Sequence, residues 1–569
     1  LVSGGLLHSG ASASIGATGA GTREALTSGG GAATPTELFV TNTANTLTIN
    51  SQIIDSGVVG ATTALVISGG ATVTLSPQVA NTYTGGTIIN GTTVNTTGAA
   101  AVTVIPATGG LTINNALVTI ATANQIAAAT NVTLNGGSSL TYTGTNAVSG
   151  TLTFNNTGGF AATNPIVTGG TITLTGGITA VNDSFSSTPT VASILDFGAA
   201  ARTINVSGLS PNGLILSGIN IGAGGSINKT GNGSLVLTGA STFTGGVALT
   251  AGSIIFGADS TPSTVGATVT AGPIGTGALT ITDGAKILAG GATRTIANNI
   301  TANTQLTFGI SAQSLTLNGV VTFGTANPTI TVENNFAGNG GIAMTLGAAF
   351  GSAGGFNTFT KNGAGQLVIS ATSNPNLTAA ITINDGWLTT TTQYGLGGSL
   401  YTAGPALNFN GGSFLNGAGS VFVQNAVNFG ANGIIHASAG STAIGPVTMA
   451  AGSTALGIQG GNTNTIFGGL TMNGTTASTL HTFNQLNVLG TLAGSTASVT
   501  KQGVANLILG GASTYAGNII IDQGQLEARV GSSTVTGPRY AFTFSARMRP
   551  SSAQSAALVR MSVTCGLWM

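Results

Sequence analysis

The sequence predicts an all-β chain and, within that class, a parallel β-solenoid, on three observations. Short runs that alternate apolar and polar residues recur about every ten positions, with the period of two that marks a strand; examples are TIIN (87–90), LTIN (111–114), VTLN (132–135) and TITL (171–174). Thr, Val and Ile, which suit a pleated surface, populate these runs. Gly-Gly, Asn-Gly and Ser-Gly pairs fall in most of the gaps, supplying positive φ at turns. No stretch carries a helical period.

Composition narrows the class. The chain has 569 residues, of which only 4% are charged, with 92 glycines and a mean hydropathy of +0.42. Disorder requires the reverse, few apolar residues and many charges. Collagen is excluded because glycine has no period of three. Gly, Thr, Asn or Ser interrupts every apolar run short of the roughly 18 residues a membrane helix requires. A net charge of +1, without a basic stripe or acidic block, excludes nucleic acid as a partner. Cys565 is the sole cysteine, so an internal disulfide is impossible and passage through an oxidising compartment is permitted.

A sandwich of this length would break into domains across linkers, and none is visible. A propeller would show a blade period of about 40–50 residues, which the sequence lacks. A solenoid lengthens without limit by adding short strands and tight turns. At about 22 residues per coil and about 4.8 Å per rung, the body is expected to form roughly 24 coils and an elongated rod on the order of 115 Å long.

In chain order, residues 1–36 read as a Gly/Ser/Ala-rich lead-in or a first irregular rung. The solenoid is expected over 37–536, opening with the strands ELFV (37–40) and TLTIN (46–50). Residues 537–569 differ abruptly: they hold four of eight arginines, three of six methionines, the cysteine, one of two tryptophans and no acid. That tail reads as out of frame or foreign, with a short linker towards a truncated barrel as the alternative reading. A signal peptide is expected outside this segment, since no basic and then apolar leader follows Leu1.

Within the body one pattern repeats, near 65–96, 227–257, 359–390 and 499–530. Lys229-Thr-Gly231 is echoed by Lys361-Asn-Gly363 and Lys501-Gln-Gly503, and Leu235, Leu367 and Leu507 each stand six residues after their lysine. Phe243 and Tyr515 each follow fourteen residues after the lysine; Gly245 lies in the first corner, and Gly252 and Gly524 come nine residues after the aromatic. The third copy departs, with Leu377 for the aromatic and Ala379-Ala380 for the glycine pair. The first lacks the lysine but keeps Asn81-Thr82-Tyr83-Thr84-Gly85-Gly86.

These copies resemble the autotransporter-associated β-strand repeat. The resemblance implies a right-handed parallel β-helix, exported across the outer membrane of a Gram-negative bacterium to the cell surface or the extracellular space. It also implies a C-terminal translocator β-barrel as export partner. Such a barrel needs many strands of about ten residues, which this chain does not contain. Relatives of this kind are surface rods, some adhesive, so a surface glycan or a host protein is the partner class implied.

Few residues invite chemistry. His8, His436 and His481 are far apart with no acidic or cysteine neighbour, and read as turn or surface residues rather than metal ligands. No cofactor motif appears, because no helix follows any glycine pair. An alternative reading is a carbohydrate-active β-helix enzyme, a polysaccharide lyase or hydrolase, which needs carboxylates and bases on adjacent rungs. Asp259, Asp283, Lys286 and Arg294 are the candidates, since the spacing of Asp259 and Asp283 is close to one expected coil. A second alternative is a hydroxyl-ladder solenoid that binds ice or glycan, but the Thr-x-Thr runs are irregularly spaced. The lysines read as repeated turn residues whose amines meet carbonyls or water. The expectation is therefore a non-catalytic structural or adhesive rod.

Overall fold

The computed structural model describes residues 4–528 apart from 19–23, 30–34, 100–101, 158–163, 335–340, 353, 399–401, 418–420, 424, 438–441, 458–464, 495 and 512. The tail at 537–569 lies outside the described residues. Those described form parallel strands stacked as a β-solenoid of about 20 turns, without a helix among them.

The chain divides into two compact units, residues 1–263 with 267–298, and residues 264–266 with 299–569. In the first, one parallel sheet runs through Gly4–His8, Thr36–Asn42, Thr63–Ser68, Thr87–Asn90, Leu111–Asn114 and onward to Leu279–Ile281. A second runs through Ala13–Ile15, Leu47–Ile49, Val73–Leu75, Thr93–Thr96, Leu117–Ile120 and onward to Lys286–Ala289. The early strands Gly4–His8 and Ala13–Ile15 pair in parallel with the coil that follows them. In the second unit, Phe359–Asn362, Ile381–Ile383, Leu407–Phe409 and Val427–Phe429 succeed one another in one sheet, while Gln366–Ile369, Trp387–Thr390 and Ser413–Asn416 do so in another.

Alternation decides which side chains fill the coil. In Leu111–Asn114 the residues Leu111 and Ile113 are buried while Thr112 and Asn114 face outward. Register then stacks like on like. Ile67, Ile89, Ile113, Leu134 and Phe154 form one inward column on successive rungs, and every one of them is 0% exposed. Each such burial stabilises by about 1.5–3 kcal/mol. In the second unit Lys361, Ile383, Phe409, Phe429 and Met449 form an inward column of the same kind. Phe409 and Phe429 are stacked there, 4.9 Å apart and 20° from parallel.

Coil length is not uniform. Leu65 pairs with Thr87, whereas Leu249 pairs with Ile281 and Ser253 with Lys286, so the later coil takes up far more chain than the earlier one. Turns between strands absorb the excess while the inner columns stay in register. Longer coils explain why the turns are fewer than a uniform coil of about 22 residues would give.

Candidate functional site

Three corners of the solenoid are built alike. Lys229, Lys361 and Lys501 each lie on an inward position of a strand, 0% exposed. The stem of Lys229 stands between Ile204 and Leu249 of the neighbouring rungs. Lys361 stands between Ile330 and Ile383, and Lys501 between Leu480 and Ile521. A methylene stem takes the place of an aliphatic side chain, and the amine reaches past it to the turn.

There the amine donates to three backbone carbonyls. Lys229 Nζ lies 2.9 Å from Thr230 O, 2.8 Å from Gly231 O and 3.1 Å from Ala251 O on the next coil. Lys361 repeats this with Asn362 O, Gly363 O and Asp385 O at 3.0, 2.7 and 3.0 Å. Lys501 does so with Gln502 O, Gly503 O and Gln523 O at 3.0, 2.6 and 2.9 Å. Carbonyls turned inward at a corner cannot join the ladder, and a buried acceptor without a donor is costly. Burial lowers all three lysine pKa values to about 8, with the Asp385 carboxylate opposing the shift at Lys361. An amine at that value would be nucleophilic if it met solvent, but these three face their own backbone.

The corner needs glycine twice. Gly231 has φ +75, and a Cβ there would sit 2.3 Å from Val206 O; Gly252 has φ +71, and a Cβ would sit 2.4 Å from Gly233 O. Gly363 with Gly386 and Gly503 with Gly524 occupy the same places in the other copies, all with positive φ. In the first copy Ile67, also fully buried, stands two residues before positive-φ Gly69, where the others have lysine.

The remaining motif residues pack the coil. Leu235, Leu367 and Leu507 are at most 2% exposed, and Leu377 fills the third copy's aromatic place at 1%. Phe243 meets Phe197 edge-on, 5.3 Å between centroids. A Cβ on Gly245 would lie 2.7 Å from Gly225 O, so coils approach closely there too. Tyr83 donates or accepts a 2.6 Å hydrogen bond with Thr87 four residues on, and burial raises its pKa far above the ordinary value. Tyr515 is less enclosed and its hydroxyl donates to Ala497 O.

The acidic and basic candidates are arranged differently from the sequence expectation. Asp259 and Asp283 do not stack, because the coil carrying them, from Leu249 to Ile281 and from Ser253 to Lys286, is much longer than the expected ~22 residues. The chain opposite Asp283 is that between Leu249 and Ser253. Asp259 instead accepts the Thr295 N–H at 2.8 Å, 36 residues on. Arg294 donates from Nε to Gly290 O at 2.9 Å, and Lys286 pairs in register with Ser253. Among the described residues no three His, Cys, Asp or Glu side chains gather as a metal-holding group. His8 bonds Asn42 and Ala11, His436 lies edge-on to Trp387 with its pKa lowered by burial, and His481 lies 4.2 Å from the Phe483 ring.

Two polar devices escaped the sequence reading. Asn135 donates to Asn114 at 2.6 Å and Asn114 to Asn90 at 2.7 Å, an amide ladder along three rungs. Asn410, Asn384 and Asn362 make a second, at 3.0 and 2.8 Å. The signal was an Asn closing one strand after another. Asp55 accepts from Thr63 N at 2.7 Å and from Thr84 N and Oγ1 at 3.0 and 2.7 Å. Burial pushes its carboxyl pKa up, but these hydrogen bonds outweigh it and the pKa falls below the ordinary value.

The family described as passenger-associated-transport-repeat matches this chain four times, at residues 65–95, 227–255, 359–389 and 499–528. No curated protein and no solved structure matches it. The last three matches each contain one lysine corner, and the first contains Ile67 and Tyr83.

Proposed function

Taking this chain as an autotransporter passenger, which is what four passenger-associated-transport repeats on a β-solenoid fit, we propose that it is a non-catalytic structural passenger displayed at the bacterial surface. The observation that carries this reading is the lysine corner. Three of the four lysines in the chain, the groups most suited to polar chemistry, are directed into the coil and bonded to backbone carbonyls. Such corners hold rung to rung without an external ligand. Low charge and the absence of cysteine in the body suit a chain that crosses a compartment unfolded and gains its stability from stacking afterwards. A translocator β-barrel is the partner such export requires, and the role that suits a rod of this kind is adhesion through its outward faces.

The test is to express the solenoid between a bacterial signal peptide and a translocator barrel and to digest intact cells with protease. Loss of the passenger from intact cells supports surface display; protection of a folded passenger in the periplasm overturns it. Release of reducing ends from polysaccharide by the purified chain would overturn the non-catalytic part and favour the lyase or hydrolase reading.

A further inference from the structure

The outer face of one sheet in the first unit carries a column that the sequence spacing conceals. Ser14, Thr48, Thr74, Asn95, Thr119, Thr141 and Thr168 occupy one register position on seven consecutive rungs. Their separations along the chain are unequal, so no fixed period announces them. In space the rungs are about 4.8 Å apart. All seven side chains reach the surface, and none of the seven has a side-chain hydrogen-bond partner among the described residues. Beside them runs a mixed column, Thr93, Leu117, Ser139 and Ile166, in which Leu117 is 53% exposed.

Charge is absent from the stretch of chain that carries the last five of the seven, Thr74 to Thr168. No Asp, Glu, Lys, Arg or His stands between Asp55 and Asp183. Nucleic acid and polyanionic glycans need cations to neutralise them, and a protein partner is usually met by aromatic and Arg anchors. A neutral polysaccharide needs neither. Its hydroxyls donate and accept, as threonine hydroxyls do, and its C–H faces fit threonine methyls and Leu117. Threonine is restricted at χ1, so a ladder of it loses little entropy on binding. Weak contacts repeated along rungs then add as in any multivalent pairing.

We propose that the column from Thr48 to Thr168 is a docking surface for an uncharged, hydroxyl-rich polysaccharide. The proposal gives the displayed passenger a ligand class, but binding belongs to the folded coils and does not depend on export. It can therefore fail while surface display stands, and the reverse.

The experiment is retention of the purified full chain on insoluble cellulose, chitin and β-1,3-glucan, with polygalacturonate as an anionic control. Retention on at least one neutral polymer that survives high salt is expected. The double variant Thr119→Val/Thr141→Val is expected to bind about tenfold more weakly with an unchanged melting temperature, since it loses two hydroxyls and keeps their shape. Thr119→Ser/Thr141→Ser, which keeps the hydroxyls, is expected to retain binding. Failure to bind any of the three neutral polymers overturns the proposal, as does equal binding by the Val variant. Retention on polygalacturonate alone overturns it in favour of an ionic site. Inhibition of ice recrystallisation without polymer retention overturns it in favour of a water lattice, and self-association through this face in favour of a second copy of the chain.

Discussion

Lys229 Nζ stands 3.1 Å from the carbonyl oxygen of Ala251, 22 residues further along and one coil on. Its other two acceptors, Thr230 O and Gly231 O, belong to its own turn. One amine thus ties the corner of one coil to the corner of the next, and the same tie recurs at Lys361 and Lys501.

Removing the amine while keeping the stem isolates that tie. Lys229→Met leaves three inward carbonyls without their donor and is expected to destabilise its coil by about 2–4 kcal/mol. The measurement is amide exchange in Ser226–Thr230 and Val247–Leu249, which should quicken. Ile67→Met, at the corresponding place without an amine, is a near volume-conserving change expected to cost under about 1.5 kcal/mol. Equal losses at both places would show that the stem, not the amine, carries the effect.

The corners also give stability a pH dependence. Burial depresses the three lysine pKa values to about 8 from an ordinary 10.5. Between those values the unfolded chain binds more protons than the folded one, so stability rises with pH across that window. Tyr83 and Tyr142 act oppositely: burial raises their pKa values, so the stability they contribute is present below about pH 10, the ordinary tyrosine value, and lost above it. Denaturation midpoints are expected to climb from pH 8 to a maximum near pH 10 and then to fall. A midpoint falling from pH 8 onward would mean that the carbonyls hold the ammonium form more firmly than burial opposes it.

Glycine at the corner is required by space as well as by φ. Gly252→Ala would place a Cβ 2.4 Å from Gly233 O and 2.6 Å from Gly231 O, and a loss above about 2 kcal/mol is expected. Gly284, at φ +84, has nothing within 4 Å of that position, and Gly284→Ala is expected to lose only about 1 kcal/mol. Melting temperatures of the two variants compare them directly.

The aromatic position is coupled to the residue four places on. Tyr83 bonds Thr87, whereas the corresponding pair in the second copy is Phe243 and Val247. Phe243→Tyr alone buries a hydroxyl without that partner and is expected to cost about 1–3 kcal/mol. Adding Val247→Thr restores the partner, and a double-mutant cycle is expected to give a favourable coupling of about 1 kcal/mol. Additivity would show that the bond does not form in this coil.

Much of this molecule was legible in the residues. Runs such as Leu111-Thr112-Ile113-Asn114 announce both a strand and its buried face, because alternation of two has only one way to bury its apolar half. The repeat at Lys229, Leu235, Phe243 and Gly252 was visible as spacing, but the partners of its amine were not. Carbonyls carry no sequence signature, and the third acceptor lies on another coil. Asp259 and Asp283 illustrate the same limit: their spacing suggested a single coil, but the coil there runs the longer way from Leu249 to Ile281.

The sequence by itself determined the class of fold, the places of the repeat copies and the want of charge between Asp55 and Asp183. Those follow from local patterning and composition, which each residue carries with it. Only the tertiary structure decided that Lys229 meets Ala251, that Asp259 meets Thr295 and that Thr74, Asn95, Thr119, Thr141 and Thr168 fall in one column. Those depend on register, and register is set by how much chain each turn takes up between strands whose inner faces must stack.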